Sequence, residues 1–307
     1  MEEKIYDVVI IGEGPAGLTA AIYAKRAELS TLLIERFGAG GQILNTYEVD
    51  NYPGLPGISG FELGTKMSEH VDKFGVERIT AEVKSIGTGD AVKIISTDAG
   101  EYKAHTIIIA TGNSPRILGV PGEEELTGCG VSYCATCDGA FFKNRVVAVV
   151  GGGDVAVEDA IFLARGCKKV YLIHRRDELR AAKTLQSALF NTSNVEVIWN
   201  SVVTAIQGED MVESIDIQNV ITGLASSLEI NGIFIATGNV PNLPKIEGLE
   251  IDKTGYVVAG ENCATNMEGV YVAGDIRSKR LRQVSTAVAD GANAVYTAQE
   301  YLVNLTK

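Results

Sequence analysis

The feature that most constrains this chain is a pattern it carries twice: a short apolar strand, a glycine-rich turn, a helix and a second strand. Near the start, Asp7-Val-Val-Ile-Ile-Gly12 runs into Gly12-Glu-Gly-Pro-Ala-Gly17, then an Ala-rich helix expected over about Pro15 to Glu28, then a strand at Thr31-Leu-Leu-Ile-Glu35. In mid-chain, Val146-Val-Ala-Val-Val-Gly151 runs into Gly151-Gly-Gly-Asp-Val-Ala156, a helix to about Arg165 and the strand Lys169-Val-Tyr-Leu-Ile-His174. In both copies the second strand ends 23 residues after the first glycine. Each copy reads as one βαβ unit.

Each copy is followed by a matching strand that ends in a tight turn, Thr106-Ile-Ile-Ile-Ala-Thr-Gly112 and Gly232-Ile-Phe-Ile-Ala-Thr-Gly238. The intervening stretches, Val76 to His105 and Val195 to Ile230, alternate polar and apolar residues and read as antiparallel strands. After Asn239-Val-Pro-Asn-Leu-Pro244 come a further strand, Gly269-Val-Tyr-Val-Ala-Gly-Asp275, and a helix over about Gln283 to Val303. Those last elements have no counterpart in the mid-chain unit, so they complete the first domain. The expected fold is α/β, with two Rossmann-like dinucleotide-binding domains, residues 116–243 being inserted into a domain made of 1–115 and 244–307. The linkers near Asn113–Pro121 and Gly238–Ile246 contain Gly and Pro and suit hinges.

In such a turn the first glycine permits the bend and the second lets a pyrophosphate approach the backbone. The third lets helix and strand pack closely. Gly12, Gly14 and Gly17 fit these roles, and Glu35 ends the second strand where a carboxylate can accept from an adenosine ribose. The second turn offers Gly151 and Gly153, with Ala156 as the permitted third residue. His174 stands where Glu35 stands in the first copy, followed by Arg175, Arg176 and Arg180. An acid there repels a 2′-phosphate, whereas a guanidinium fork binds one, so this cluster points to NADPH in preference to NADH. A solvated strand end is the plainer account of such a charge run, and the βαβ context decides against it. Asp154 and Glu158 sit at and inside the second helix. Asp154 is either an N-cap or a neighbour of the pyrophosphate, where its charge is awkward.

Cys134-Ala-Thr-Cys137 is a CxxC followed by Asp138 and Gly139. A zinc site needs two further ligands at comparable spacing. Cys129, Cys167 and Cys263 form no second CxxC, and His70 and His105 lie far off in sequence, so no metal is expected. Beside βαβ units the motif reads as a dithiol that cycles with a disulfide. Asp138 is placed either to exchange protons with a departing thiolate or to shape the Gly139 turn. The other three cysteines are expected to be small buried hydrophobes, with a role for Cys129 left open.

Charge and composition narrow the partners. With 27 basic and 39 acidic residues the net charge is −12, which argues against nucleic-acid binding. No segment has about 20 uninterrupted apolar residues, so no membrane span is expected. The first seven residues carry three acids and lead straight into a strand, unlike a secretory signal, so a cytoplasmic location is expected.

Two dinucleotide folds and a CxxC point to two-electron transfer from NADPH, through a second nucleotide cofactor, to a disulfide. In that combination the chain closely resembles the low-molecular-weight thioredoxin reductases. The resemblance rests on Cys134-Ala-Thr-Cys-Asp-Gly139, His174-Arg-Arg-Asp177 with Arg180, Gly151-Gly-Gly-Asp-Val-Ala-Val-Glu158, and Gly274-Asp275 followed by Arg282-Gln283. It implies FAD in the split domain, NADPH in the inserted one, a domain rotation, a homodimer, and thioredoxin as acceptor. The FAD contacts it implies are Gly12, Gly14, Gly17, Glu35, Gly41, Gln42, Asn51, Thr111, Gly112, Gly274, Asp275, Arg282, Gln283 and Val284. The NADPH contacts are Gly151, Gly153, Asp154, Val155, Glu158, His174, Arg175, Arg176 and Arg180. It also implies that Cys137 faces the flavin, and it leaves open which thiol attacks thioredoxin. One departure is Asp154-Val155, where relatives often carry Asn, Ser or Thr. Rival readings are a reductase of another disulfide partner, a non-catalytic NADPH-binding redox sensor, and a ferredoxin-dependent enzyme of the same fold.

Overall fold

The computed structural model describes residues 4–45, 49, 51–89 and 91–305, without the side chains of Asn45 and Cys137. The chain divides into two compact units, Met1–Ser114 with Val240–Lys307, and Pro115–Asn239.

The first segment forms β1 (Ile5–Ile11), α1 (Pro15–Arg26), β2 (Thr31–Glu35), α2 (Gly60–Asp72), β3 (Glu77–Thr80), β4 (Val83–Thr88), β5 (Lys93–Thr97), β6 (Gly100–Ile109) and β7 (Asn113–Pro115). The middle segment adds β8 (Val131–Ser132), α3 (Ala135–Asp138), β9 (Val146–Val150), α4 (Asp154–Ala164), β10 (Lys169–Ile173), α5 (Lys183–Phe190) and β11 (Val195–Ile198). It continues with β12 (Ser201–Gln207), β13 (Ser214–Asn219), β14 (Ala225–Glu229), β15 (Gly232–Ile235) and β16 (Asn239–Pro241). The last segment returns with β17 (Lys245–Ile246), β18 (Val270–Val272) and α6 (Val284–Leu305).

In the first unit the sheet order is β17-β4-β5-β6-β1-β2-β3, with β18 also on β6. Parallel pairing sets Val9 opposite both Leu32 and Ile107. β6 has room for its extra partner because it is long: Gly100–Ala104 pairs with β5, and Ile107–Ile109 pairs with β18. Return of the last segment to this sheet follows from β18 and from α6, which lies against α1. There the backbones approach so closely that a Cβ on Gly291 would stand 2.2 Å from the Ala16 carbonyl oxygen. Small residues along both helices, Ala16, Ala20, Ala24, Ala294 and Ala298 among them, make that approach possible and are buried in one apolar cluster.

The second unit has a parallel sheet, β11-β10-β9-β15-β8, and an antiparallel sheet, β12-β13-β14. Val149 is fully buried, as is Leu172 in the neighbouring strand. Both faces of the parallel sheet are covered, one by the cluster around α4 and the other by the cluster that includes β12 and β13 residues. That double burial is why its strands read as unbroken apolar runs.

One expectation is corrected. β3 and β11 open the stretches read as antiparallel, yet they pair parallel with β2 and β10. The reason is α2 and α5, which the alternation pattern did not reveal. A helix between two neighbouring strands returns the second one parallel. For α2 the start signal is local: Ser59 is the N-cap, its hydroxyl accepting from the Glu62 N–H at 3.1 Å, with Glu at the third position as in a capping box.

Candidate functional site

The three glycines of the first turn have three distinct surroundings. Gly12 has φ +106°, and a Cβ there would stand 2.5 Å from the Ala110 carbonyl oxygen. A Cβ on Gly17 would meet the Gly12 carbonyl oxygen at 1.8 Å, so α1 and β1 touch through backbone. Gly14 faces open space, with nothing within 4 Å of its missing Cβ. The open position is the one where a phosphate must approach. Pro15 supplies the first helical residue, with no N–H to leave unpaired.

Glu35 closes β2 with its carboxylate held in place. Oε2 accepts from the Glu13 N–H at 2.7 Å, and Oε1 from the Arg36 and Phe37 N–H groups at 2.8 and 3.0 Å. Oε2, with a single N–H partner, keeps acceptor capacity, and the carboxylate borders a pocket of about 230 Å³ lined by Glu13, Glu35, Gly38, Ala39, Arg78, Ile79 and Thr80. Glu13 is buried, which pushes its carboxyl above the usual range against the pull of the Arg78 guanidinium, 3.3 Å away.

Residues far apart in sequence converge on this unit. A Cβ on Gly41 would lie 3.1 Å from Gly14 Cα, which puts the Gly40–Gln42 loop against the first turn. Gln42 Nε2 donates to the Asn113 carbonyl, and Asn51 Nδ2 donates to Gln283 Oε1 at 2.8 Å. Val284 packs on the apolar group of Ile43, Val49, Ile58 and Leu63. Gly274, with φ +79°, leads into Asp275, whose carbonyl accepts from Arg282 Nε at 3.2 Å. The Arg282 guanidinium lies over the Tyr256 ring at 3.8 Å. Burial pushes the Asp275 carboxyl up, opposed by Lys279 and Arg282. Its Oδ1 has no hydrogen-bond partner, although the Lys279 ammonium stands 3.7 Å off. Thr111 Oγ1 beside Gly112 is likewise buried and unpartnered.

In the second turn, Gly153 faces open space, as Gly14 does, and a Cβ on Gly151 would collide with the Ala156 methyl at 2.5 Å. His174 is buried beneath the turn. A Cβ on Gly152 would sit 2.2 Å from the imidazole, burial lowers the imidazole's pKa, and Nε2 has no partner. Arg175, Arg176 and Arg180 are exposed, as are Asp154, Val155 and Glu158. Asp154 does not cap its own helix, whose N-cap is Gly153. Instead its Oδ1 accepts from the Ala182 N–H at 2.8 Å.

Cys134 is the N-cap of α3 and is held in a disulfide. The Ser132 hydroxyl donates to Asp138 Oδ2 at 2.6 Å, and its oxygen accepts from the Cys134 N–H at 3.1 Å. Burial pushes the Asp138 carboxyl above its ordinary value, against the Ser132 hydrogen bond. The turn is seated on α4, since a Cβ on Gly139 would stand 2.9 Å from Leu163 Cδ2. Among the remaining cysteines, Cys167 and Cys263 are buried, and burial pushes Cys263 up to about 12. Cys129 departs from expectation: it is exposed, because it lies in the turn just ahead of β8.

Comparison with known proteins decides the family. Residues 6–291 match the model of the pyridine nucleotide-disulphide oxidoreductases. A thioredoxin reductase from Peptoclostridium litorale is 48% identical, with 99% of each chain covered. One from Bacillus subtilis (strain 168) is 47% identical, over 99% of this chain and 97% of that one. The crystal structure of thioredoxin reductase from Streptococcus pyogenes MGAS5005 is 48% identical, covers 98% of this chain and 99% of its own, and superposes with a TM-score of 0.85. The chain belongs to the low-molecular-weight thioredoxin reductases. Enzymes of this family use FAD and NADPH. The reductase offers what those groups need: two glycine turns open at their second glycine, and buried oxygens at Thr111 and Asp275 that await donors or acceptors.

Two contributors to the reductase site escaped the sequence reading. Ser132 sits two residues before the first cysteine, and its role shows only when the α3 turn brings Asp138 back to it. Arg78 reaches the Glu35 pocket because β3 runs parallel to β2, Glu35 being opposite Thr80. The capping signal at Ser59 and Glu62 is what could have exposed α2 and hence that pairing.

Proposed function

We propose that the first unit of this NADPH-dependent thioredoxin-disulfide reductase holds FAD, that the second holds NADPH, and that Cys134 and Cys137 form its redox pair. FAD, when bound, supplies the two-electron chemistry that links a nicotinamide to a disulfide. On the FAD side, Gly12, Gly14 and Gly17 receive the pyrophosphate, while Glu35 orients the adenosine ribose. Gly41, Gln42, Asn51, Thr111, Gly112, Gly274, Asp275, Arg282, Gln283 and Val284 complete the site. On the NADPH side, Gly151 and Gly153 receive the pyrophosphate, and Arg175, Arg176 and Arg180 hold the 2′-phosphate. Asp154, Val155, Glu158 and His174 surround that turn.

The observation that carries the reading is the Cys134–Ser132–Asp138 arrangement. A carboxyl pushed upward by burial keeps a proton to higher pH than a free aspartate does, at a position four residues from Cys134. Ser132 fixes its orientation by donating to Oδ2 while accepting from the Cys134 N–H. In the reduced pair, one thiolate attacks the thioredoxin disulfide and forms a mixed disulfide. The second sulfur, once deprotonated, attacks the first and releases thioredoxin's other sulfur, so that Cys134 and Cys137 end oxidised and thioredoxin becomes the dithiol, its two protons being the one lost by the second thiol and one from solvent. Asp138 hands over or takes up the proton that keeps one sulfur a thiol and the other a thiolate.

The proposal includes a homodimer in the cytoplasm with no nucleic-acid partner. The net charge of −12 supports the last point, and no helix among the described residues is long and apolar enough to cross a membrane. The test is NADPH-driven reduction of thioredoxin by Cys134→Ser and Cys137→Ser enzymes. Each should keep a yellow flavin that NADPH bleaches, yet lose thioredoxin turnover. Substantial turnover in both would make the cysteines structural. Sedimentation of the holoenzyme checks the dimer.

A further inference from the structure

We infer that Asp154 is a positioning residue for NADPH selectivity: it latches the return limb of the arginine-bearing loop to the second glycine turn. The inference rests on the placement of NADPH in the second unit proposed above. The loop runs from the end of β10 to the start of α5, and its two limbs are anchored differently. The outgoing limb is tied to the sheet edge. His174 N–H donates to Ile198 O at 2.9 Å, Ser201 N–H to His174 O at 3.0 Å, and Asn200 N–H to Arg176 O at 3.1 Å. Arg175 and Arg176 therefore take their backbone positions from β11 and β12.

The return limb carries Arg180 and is tied to the glycine turn instead. Arg180 N–H donates to Gly152 O at 2.8 Å, and two residues on, Ala182 N–H donates to Asp154 Oδ1 at 2.8 Å. Ala182 is the N-cap residue of α5 and has no side-chain acceptor of its own. Asp154 is the first residue of α4, so its carboxylate joins the starts of two helices across the loop that bears Arg180. Gln186 supports the same limb from inside α5, donating to Leu179 O and Ala181 O at 3.2 and 2.7 Å. The equivalent position in the first unit is Pro15, which can make no such tie. A carboxylate beside a pyrophosphate is thereby explained: one of its oxygens serves a backbone N–H that holds a phosphate ligand in place.

The test separates this role from simple charge. Asp154→Asn keeps an acceptor oxygen and removes the charge, whereas Asp154→Ala removes both. Calorimetry on the FAD-loaded enzyme measures binding of 2′,5′-ADP, which carries the 2′-phosphate, and of 5′-ADP, which lacks it. Asp154→Ala should lower the ratio of the two affinities about three- to tenfold, the net worth of one hydrogen bond. Asp154→Asn should stay within about twofold of the parent, and on an Arg180→Ala background Asp154→Ala should add less than about twofold. Hydrogen exchange at the Ala182 amide should quicken in Asp154→Ala and not in Asp154→Asn. Equal behaviour of the Asn and Ala variants overturns the latch in favour of charge. A full Asp154→Ala effect without Arg180 also overturns it. If Arg175→Ala/Arg176→Ala leaves 2′,5′-ADP binding unchanged, the nucleotide placement itself fails, which is a different result from a failed latch.

Discussion

The two glycine turns share a backbone plan and differ in what surrounds it. In the first, the residue ending the second strand is Glu35, whose oxygens accept three backbone N–H groups while still facing a pocket. In the second, the matching residue is His174, turned under Gly152 and buried, and the charge has moved to the exposed arginines that follow. The first helix opens on Pro15 and Ala16, the second on Asp154 and Val155. Equivalent positions thus do unequal work. The backbone plan leaves the second glycine open in both copies, and under the proposed placement of FAD and NADPH the side chains at the strand end and helix start decide which nucleotide suits each.

The largest effect should come from the third position of each turn. A methyl on Gly17 would stand 1.8 Å from the Gly12 carbonyl oxygen, a backbone atom that cannot step aside. Gly17→Ala should therefore cost about 3 kcal/mol or more, the upper end for forced overpacking. It should show as a lowered melting temperature and loss of bound flavin absorbance. The second copy already carries a methyl there, Ala156, fully buried. Ala156→Gly should cost only roughly 1 kcal/mol through helix propensity and lost contact. A Gly17→Ala protein with native stability and full flavin would erase the distinction between the turns.

Next in size is the effect on nucleotide choice. Arg175→Ala/Arg176→Ala should weaken NADPH binding at least about tenfold more than NADH binding, because charge-assisted hydrogen bonds contribute roughly 1.5–3 kcal/mol each. KM values for both nucleotides, measured across salt concentrations, check this. Equal losses for the two would mean that the arginines do not read the 2′-phosphate and that the contrast with Glu35 is accidental.

The glycine turns were legible because Gly17 is required by the Gly12 carbonyl five residues before it, Gly12 by its positive φ, and Gly14 by its openness. The long helix α6 and the strand β18 were legible as well. Side-chain direction was not. Alignment with Glu35 gives the position of His174 but cannot say that its ring turns inward beneath Gly152. Partners brought by chain reversal were hidden for the same reason: Ser132 meets Asp138 through the α3 turn, and Asp154 meets Ala182, 28 residues on, after α4 and β10 have intervened. The helices α2 and α5 were missed because breakers precede the first, from Pro53 to Gly57, and a charge run precedes the second, from Arg175 to Arg180. Without them, β3 and β11 had no reason to be parallel.

The smallest predicted effect sharpens the comparison inside the two helices. Counting from the first glycine, Ala20 of α1 matches Asp159 of α4. Ala20 is fully buried, while burial, with a smaller contribution from neighbouring Glu158, pushes the Asp159 carboxyl up to about 7. The sign follows from linkage. The folded protein holds this proton more tightly than the unfolded chain, whose carboxyl sits near the ordinary 3.8. The resulting stability is fully present below that ordinary value and is lost as pH rises through about 7. Asp159→Asn carries no titrating group and so lacks that loss. Melting temperatures of parent and variant, read from pH 4 to pH 8, should diverge as pH rises, with the variant ahead by a few degrees at the alkaline end. Parallel profiles over the whole range would mean that Asp159 ionises as a free carboxylate does, and that α4 is as indifferent to pH at this position as α1.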